Sequence, residues 1–185
     1  MRTFVAVDIS QAGREAVGRL ISELRPKADG LRWVRPESLH LTLKFLGEVS
    51  EEKLPELAEA LRQSAEGIPP FDYTLVGKGC FPNCRRPRVL WIGVENPGRE
   101  IFHLQRQVED AFEAIGFQRE NRKFTAHLTV ARVKRPFGIE DAVHAFREFP
   151  LEPETVHVTE IRLMRSVLKP GGAEYSVLHA VPLAP

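Results

Sequence analysis

The chain has 185 residues, of which 43% are hydrophobic and 28% are charged. These fractions are typical of globular proteins, and the length suffices for one domain with a substantial core. A formal net charge of +1 excludes the strongly basic balance of chains that bind nucleic acid by charge alone. No apolar run has transmembrane length, and the N-terminal run ends at Asp8, too soon for a signal peptide. We therefore expect a cytoplasmic protein without membrane association.

The first half of the chain predicts strands that alternate with two helices. The first helix begins at Ser10 and is stopped by Pro26, and the second has Ser50 as its N-cap. A loop is predicted for residues 79–87. The remaining predictions are strands at 3–8, 31–34, 39–47, 71–77 and 89–94, and continuation of the second helix to about residue 66.

The second half predicts helices at 99–115 and 139–146, and strands at 124–132, 151–158, 160–168 and 174–181. Pro170 to Gly172 predicts a hairpin turn between the last two strands. Each half thus holds similar elements in a similar order, which indicates an internal duplication. Since no flexible linker separates the halves, we predict a single domain, residues 1–185, made of two interlocked lobes.

The two cysteines, Cys80 and Cys84, have no second Cys or His pair beside them and so do not predict a zinc site. A disulfide between them is sterically possible, but nothing else in the sequence indicates an oxidising compartment. We expect reduced thiols.

The motif His-apolar-Thr-apolar occurs twice, at residues 40–43 and 127–130. Both copies lie in predicted strands, where alternate side chains share a face. Each strand therefore presents an imidazole and a hydroxyl on one face and anchors its apolar residues in the core with the other. We predict that the two strands lie side by side and that one cleft is lined by His40, Thr42, His127 and Thr129.

Two imidazoles in matching contexts suit a reaction that needs a general base and a general acid together, since their usual pKa of about 6.5 lies near operating pH. Hydroxyls beside them suit the non-bridging oxygens of a phosphate. The residues favour the opening of a phosphodiester, in which one imidazole takes a proton from water and the other protonates the departing oxygen. They do not decide which histidine is the acid.

Other chemistries fit these residues less well. Neither motif has the nucleophile elbow or the placed carboxylate of a serine hydrolase. The histidines also lack the helical spacing and the adjoining acidic residues of a metal site, so we expect no metal ion and no cofactor. A module that binds a nucleotide or an RNA end without turnover is the alternative, although a pure binder has no need of two proton-transfer groups.

The two motifs resemble the HxTx motifs of the 2H phosphoesterase superfamily, and more closely those of the bacterial and archaeal RNA 2′,3′-cyclic phosphodiesterases, also named 2′-5′ RNA ligases. The resemblance covers nearly the whole chain. One departure is Ala126, where many relatives have proline. The segments that carry the resemblance are Arg2–Val7, Trp33–His40, Phe45–Val49, Phe124–Arg132 and Tyr175–Leu183.

This resemblance implies an α+β fold of two lobes related by a pseudo-two-fold axis, in which two antiparallel sheets form a central cleft with helices outside. It implies metal-independent hydrolysis of RNA 2′,3′-cyclic phosphate to a 2′-phosphate, with reversible 2′-5′ RNA ligation as a further activity. His40 would be the proton donor and His127 the proton acceptor, while Thr42 and Thr129 would hold phosphate oxygens. The expected partners are RNA ends or small nucleotides with a 2′,3′-cyclic phosphate, and we expect a monomer.

Phe45 and Arg132 each follow a motif histidine by five residues, which makes them candidates for substrate contact. Strict alternation places both on the core side of their strands, opposite the histidines, unless a bulge re-orients them. An arginine is costly to bury unpaired, which favours Arg132 reaching the cleft or a carboxylate. Base stacking by Phe45 and nucleotide or phosphate contact by Arg132 are therefore hypotheses.

Two basic clusters complete the list of candidate residues. Each cluster suits either a solvated loop or a contact with phosphate, and the sequence does not decide whether either lines the cleft. The clusters are Arg85, Arg86 and Arg88, and Arg119, Arg122 and Lys123.

Overall fold

The computed structural model describes all 185 residues. The helices are α1 (Gln11–Leu24), α2 (Leu54–Ala65), α3 (Glu100–Glu113) and α4 (Glu140–Glu148). The strands are β1 (Arg2–Val7), β2 (Leu31–Trp33), β3 (Leu41–Glu48), β4 (Phe71–Phe81), β5 (Val89–Glu95), β6 (His127–Val133), β7 (Glu154–Val158), β8 (Glu160–Lys169) and β9 (Gly172–Pro182). None of the four helices combines the length and the apolar composition needed to cross a bilayer.

The predicted helices and strands are all present, and α1 shows why the pattern works. The Ser10 hydroxyl accepts a hydrogen bond from the Gly13 N–H at 3.0 Å and so satisfies one of the free donors at the helix start. Pro26 follows the last turn. The apolar residues at helical spacing between them are buried: Val17, Leu20, Ile21 and Leu24.

Two predicted bounds are wrong. Ser50 caps a short 3-10 turn at Glu51–Lys53, and α2 begins only after it. The predicted loop at residues 79–87 begins later than expected, because β4 continues to Phe81. Gly77 has φ 77° at a register shift in the pairing of β4 with β5, so this glycine forms a bulge that the strand passes through.

The predicted reduced thiols are also wrong, since Cys80 and Cys84 form a disulfide. Cys80 lies near the end of β4, and the chain turns back immediately after it. Asn83 builds this turn, because its Oδ1 accepts hydrogen bonds from the backbone N–H groups of Arg85 and Arg86, both at 3.0 Å. The turn leaves the two cysteine Cα atoms 5.0 Å apart, which is close enough for a disulfide.

The strands form two antiparallel sheets, one in the order β3-β1-β8-β9 and the other in the order β2-β6-β5-β4-β7. The predicted α+β class with two antiparallel sheets is therefore confirmed. Each sheet combines strands from the two halves of the sequence, since β1 pairs with β8 and β4 pairs with β7.

The two motif strands meet where the sheets approach each other. β3 is an edge strand of the first sheet, and β6 belongs to the second. Cα atoms of the two strands come within 8 Å of one another although the strands are not hydrogen-bonded. A shared hydrophobic core lies behind them and includes Leu41 and Leu43 of β3 and Leu128 and Val130 of β6. The fold thus brings the two histidine motifs together, each anchored by its apolar residues.

Candidate active site

His40 and His127 are held by the same hydrogen bond in their two strands. Nδ1 of His40 lies 2.6 Å from the carbonyl oxygen of Ser38, and Nδ1 of His127 lies 2.7 Å from that of Thr125. A carbonyl oxygen only accepts, so Nδ1 carries the proton and donates in both cases. In the neutral rings this leaves the Nε2 lone pair free for proton transfer.

The two Nε2 atoms have different surroundings. Nε2 of His40 lies 2.8 Å from the hydroxyl oxygen of Thr42, which donates to it when the ring is neutral. Nε2 of His127 has no hydrogen-bond partner within the protein. Thr42 and Thr129 are half-buried on the histidine side of their strands. All four motif side chains therefore take the faces that alternation predicts.

Matching bulges follow the two motifs. In the pairing of β1 with β3, Ala6 lies opposite Thr42 and Val5 lies opposite Lys44, so Leu43 is skipped. In the pairing of β5 with β6, the corresponding register shift skips Val130. A bulge adds one residue and reverses the alternation beyond it. In both strands, the residue five positions after the histidine is thereby turned away from the core.

Phe45 and Arg132 are the residues that these bulges re-orient. Phe45 is 65% exposed, so its predicted placement on the core side is wrong. The Phe4 ring lies 4.7 Å from the His40 ring and 6.2 Å from the Phe45 ring, between centroids, so Phe45 shares the face of His40. Arg132 is exposed and forms no salt bridge, so its placement on the core side is also wrong.

Burial lowers the pKa of both His40 and His127, since an imidazolium loses its hydration in these half-buried positions. The hydrogen bonds from Nδ1 oppose this shift and raise the pKa of each ring. Arg132 is the one charged side chain that contributes to the lowered pKa of both histidines. Burial raises the pKa of Tyr175, and the charge of Arg132 opposes that rise. The charge of the Arg132 guanidinium therefore acts on both motif histidines.

Aromatic side chains from more distant strands of the same two sheets contact the histidines. The Tyr175 ring of β9 meets the His40 ring edge-on with centroids 5.0 Å apart. The Phe81 ring of β4 meets the His127 ring in the same way, also at 5.0 Å. Sequence reasoning did not associate Tyr175 or Phe81 with either histidine. These contacts depend on the tertiary structure, which no local sequence pattern specifies.

The segment that leads into His40 is tied down by Arg14 of α1. The Arg14 guanidinium donates to the carbonyl oxygens of Pro36 and Leu39. It also contacts the Asp8 carboxylate at 2.5 Å, and Asp8 in turn raises the pKa of His40. Arg162 holds the other Asp8 oxygen at 2.9 Å. This network fixes the backbone on the N-terminal side of the motif.

No hydrogen bond or salt bridge joins the basic clusters to the four motif side chains. Arg85 and Arg86 are exposed at the turn stabilised by Asn83. Arg122 and Lys123 line a separate pocket beside α3. No three His, Cys, Asp or Glu side chains are grouped as they would be around a metal ion.

Comparison with known proteins matches the chain twice to one family model. The model of the LigT-like phosphoesterases matches residues 7–91 and again residues 92–175. This protein belongs to the LigT-like phosphoesterase family. The two matches divide the phosphoesterase chain so that His40 falls in the first and His127 in the second, as expected for the predicted duplication.

Individual relatives agree with the family. The RNA 2′,3′-cyclic phosphodiesterase of Methanothermobacter thermautotrophicus is 39% identical over 178 residues, which cover 95% of each chain. A crystal structure of a Thermus thermophilus protein matches this phosphoesterase with a TM-score of 0.79 and 32% identity, over 99% of this chain and 98% of the other. E. coli LigT in apo form matches with a TM-score of 0.76 and 28% identity, over 100% and 98%, and LigT has also been crystallised with 3′-AMP.

Proposed function

We propose that this phosphoesterase hydrolyses RNA 2′,3′-cyclic phosphate ends to 2′-phosphates by general acid–base catalysis with His40 and His127, without a metal ion. The substrate class follows the name of the 39% identical relative and fits a family whose member LigT binds 3′-AMP. Small nucleotides with the same cyclic end are substrates as well. We propose action as a monomer in the cytoplasm.

The observation that carries the proposal is the matched pair of hydrogen bonds from Nδ1 to the carbonyls of Ser38 and Thr125. Each bond fixes a ring and leaves its Nε2 as the atom that exchanges a proton. A nucleotide-binding module would need hydrogen-bond donors in the cleft, but it would not need two imidazoles held in the same tautomer. The arrangement therefore favours an enzyme over the alternative of a binding module.

In the proposed step, Nε2 of His127 takes a proton from water while the water oxygen attacks phosphorus. This Nε2 has no protein partner, so a water molecule has access to it. The bond between phosphorus and the 3′ oxygen breaks, and protonated His40 gives its Nε2 proton to that oxygen. One proton enters the pair and one leaves, so the histidines exchange protonation states. The product carries a 3′-hydroxyl and a 2′-phosphate.

Charge and hydroxyl groups would stabilise the phosphorane-like transition state. The hydroxyls of Thr42 and Thr129 donate to its non-bridging oxygens, and the Arg132 guanidinium offsets their growing negative charge. A bound phosphate anion also raises the pKa of both imidazoles, which counteracts the effect of burial. Phe45, exposed beside Phe4, provides a surface on which the terminal base stacks. With a 5′-hydroxyl in place of water, the same forward steps join two RNA ends by a 2′-5′ linkage, and the reverse of that step cleaves the linkage to the cyclic phosphate and a 5′-hydroxyl.

A phosphorus NMR assay tests the proposal. The protein is incubated with a nucleoside 2′,3′-cyclic phosphate in EDTA, and the products are resolved as 2′- or 3′-phosphate. We expect the 2′-phosphate only, and a loss of at least about a hundredfold in rate for His40→Ala and for His127→Ala. His144→Ala removes an exposed histidine of α4 and serves as the matched control with full activity. Binding without product in the wild type would leave the binding module as the function, and dependence on added metal would contradict the two-histidine mechanism.

A further inference from the structure

A pocket of about 280 Å³ lies between α3 and the segment that precedes β6. Its walls include Arg99, Arg106 and Lys123, which are exposed, and Phe102 and Phe124, which are half-buried. We call it the α3 pocket. Neither the catalytic histidines nor the threonines line it.

Most of the carboxylates around the α3 pocket are already engaged. Glu109 is buried and bonded to Lys44 at 2.9 Å. Asp110 and Glu113 both pair with Arg119, each at 2.7 Å. Glu120 faces Arg122 at 3.6 Å.

Three cations of the pocket wall form no salt bridge: Arg99, Arg106 and Lys123. An unpaired cation gives no information by itself, since many lie on solvated surfaces. Here, however, the three border one concave pocket. The free charge of the pocket is therefore positive and suits a polyanion.

The pocket also offers aromatic surface. The rings of Phe102 and Phe124 meet edge-on with centroids 5.7 Å apart. The Arg99 guanidinium lies over the Phe102 ring at 4.6 Å. Cations that follow a phosphate backbone, combined with aromatic rings on which bases stack, form the usual surface for single-stranded nucleic acid. A site for inorganic phosphate alone would not need the rings.

The α3 pocket is connected to the active site by the chain itself. Phe124 precedes His127 by three residues, so their Cα atoms are at most about 11 Å apart. On the other side, Lys44 of β3 donates to Glu109 of α3 and to the carbonyl of Gln118, both at 2.9 Å. Both motif strands are thus fixed to the pocket, which lies within reach of the nucleotides adjoining a cyclic phosphate in the cleft.

We propose that the α3 pocket binds the RNA strand on the 5′ side of the terminal cyclic phosphate. Arg99, Arg106 and Lys123 contact backbone phosphates, and one base stacks against Phe102 and Phe124. This inference rests on the proposed function and extends it, because it makes an RNA strand, and not a mononucleotide, the preferred substrate.

The test compares two substrates with the same terminal nucleotide: a nucleoside 2′,3′-cyclic phosphate and an oligoribonucleotide with that end. The pocket variant combines three substitutions: Arg99→Ala, Arg106→Ala and Lys123→Ala. We expect its KM for the oligonucleotide to rise roughly tenfold, while its kcat and KM for the mononucleotide stay those of the wild type. The plot of log binding constant against log salt concentration for the oligonucleotide also becomes less steep. Its slope decreases by about two if three phosphate contacts are lost. The matched control variant removes three exposed cations elsewhere, by Arg25→Ala, Lys27→Ala and Arg147→Ala. Its KM for each of the two substrates should equal that of the wild type.

Fluorescence anisotropy with a labelled oligoribonucleotide 3′-phosphate separates the two proposals, because binding needs no turnover. Weaker binding of the oligonucleotide by the pocket variant than by the control variant supports the pocket proposal. If neither variant turns over substrate, only the proposed activity fails. Equal oligonucleotide binding and equal KM for the two variants would overturn the pocket proposal whatever the turnover. Phe124→Leu is the second variant, with the same expected direction and a smaller effect.

Discussion

Leu43 and Val130 occupy the same position in the two motif strands, and each is the residue that the strand pairing skips. Both side chains are buried in the shared core. Beyond each bulge the next residue is also buried: Lys44 in β3 and Ala131 in β6. The bulges turn Phe45 in β3 and Arg132 in β6 away from the core, and both side chains are exposed. The two halves thus use one backbone device to add two different groups to a symmetric set of histidines and threonines.

Replacing Phe45 distinguishes a base-stacking residue from a core residue. Phe45→Ala should raise KM for a nucleoside 2′,3′-cyclic phosphate by at least about fivefold, the lower end of what one base–aromatic stack contributes. Its denaturation midpoint should stay near that of the wild type, since Phe45 is 65% exposed. Phe137→Ala, which removes a phenylalanine that is 82% exposed, is the control. A large loss of stability with unchanged KM would place Phe45 in the core after all.

Removing the charge of Arg132 should move the pH dependence of catalysis. The guanidinium lowers the pKa of both histidines because it repels their protonated forms. In Arg132→Gln that repulsion is gone, so both pKa values rise and both inflections of the kcat/KM profile shift to higher pH. The rate also falls, since a cation that faces the phosphate is lost.

The matched control for this charge is Arg132→Lys, which keeps the cation. We expect its inflections to stay near those of the wild type, although the loss of the planar guanidinium lowers the rate. Superimposable inflections for the Gln variant and the wild type would show that Arg132 does not act on the histidines.

The ion pair between Lys44 and Glu109 should matter for stability. Their side chains are only 3% and 6% exposed, so Lys44→Met leaves a buried carboxylate without its cation. We expect a loss of about 3–5 kcal/mol in the free energy of unfolding, measured with urea. Lys44→Met combined with Glu109→Met should recover most of it, because both charges are then removed.

An exposed ion pair provides the comparison. Arg62 contacts Glu59 and Glu66 on the surface of α2, and Arg62→Met should leave the urea midpoint close to that of the wild type. Similar small effects for the Lys44 and Arg62 variants would contradict the structural role of the buried pair.

The elements and the motif faces could be predicted because they depend on local patterns. The alternation of side chains along a strand suffices to place His40 and Thr42 on one face. The spacing of apolar residues suffices to predict α1. The bulges at Leu43 and Val130 depend on how β1 and β5 pair with the motif strands, so alternation alone misplaced Phe45 and Arg132. Gly77 was taken as the end of a strand, since a glycine that ends a strand and one that forms a bulge look alike.

Features that join distant segments could not be predicted. Lys44 meets Glu109 across 65 positions of sequence. The Cys80–Cys84 disulfide is local, since four positions separate the two residues, and it was missed because it depends on the turn that Asn83 stabilises. Tyr175 and Phe81 contact the histidines although their strands, β9 and β4, are not paired with the motif strands.

The pH dependence of kcat/KM for a nucleoside 2′,3′-cyclic phosphate tests the two-histidine account most directly. The account predicts a bell, since one imidazole of the pair must be free and the other protonated. Because burial lowers the pKa of both rings, the acidic inflection should lie below the usual imidazole value of about 6.5. Either His→Ala substitution should abolish the bell, and His144→Ala should preserve it. A profile that is flat between about pH 5 and 8 in the wild type would contradict the account.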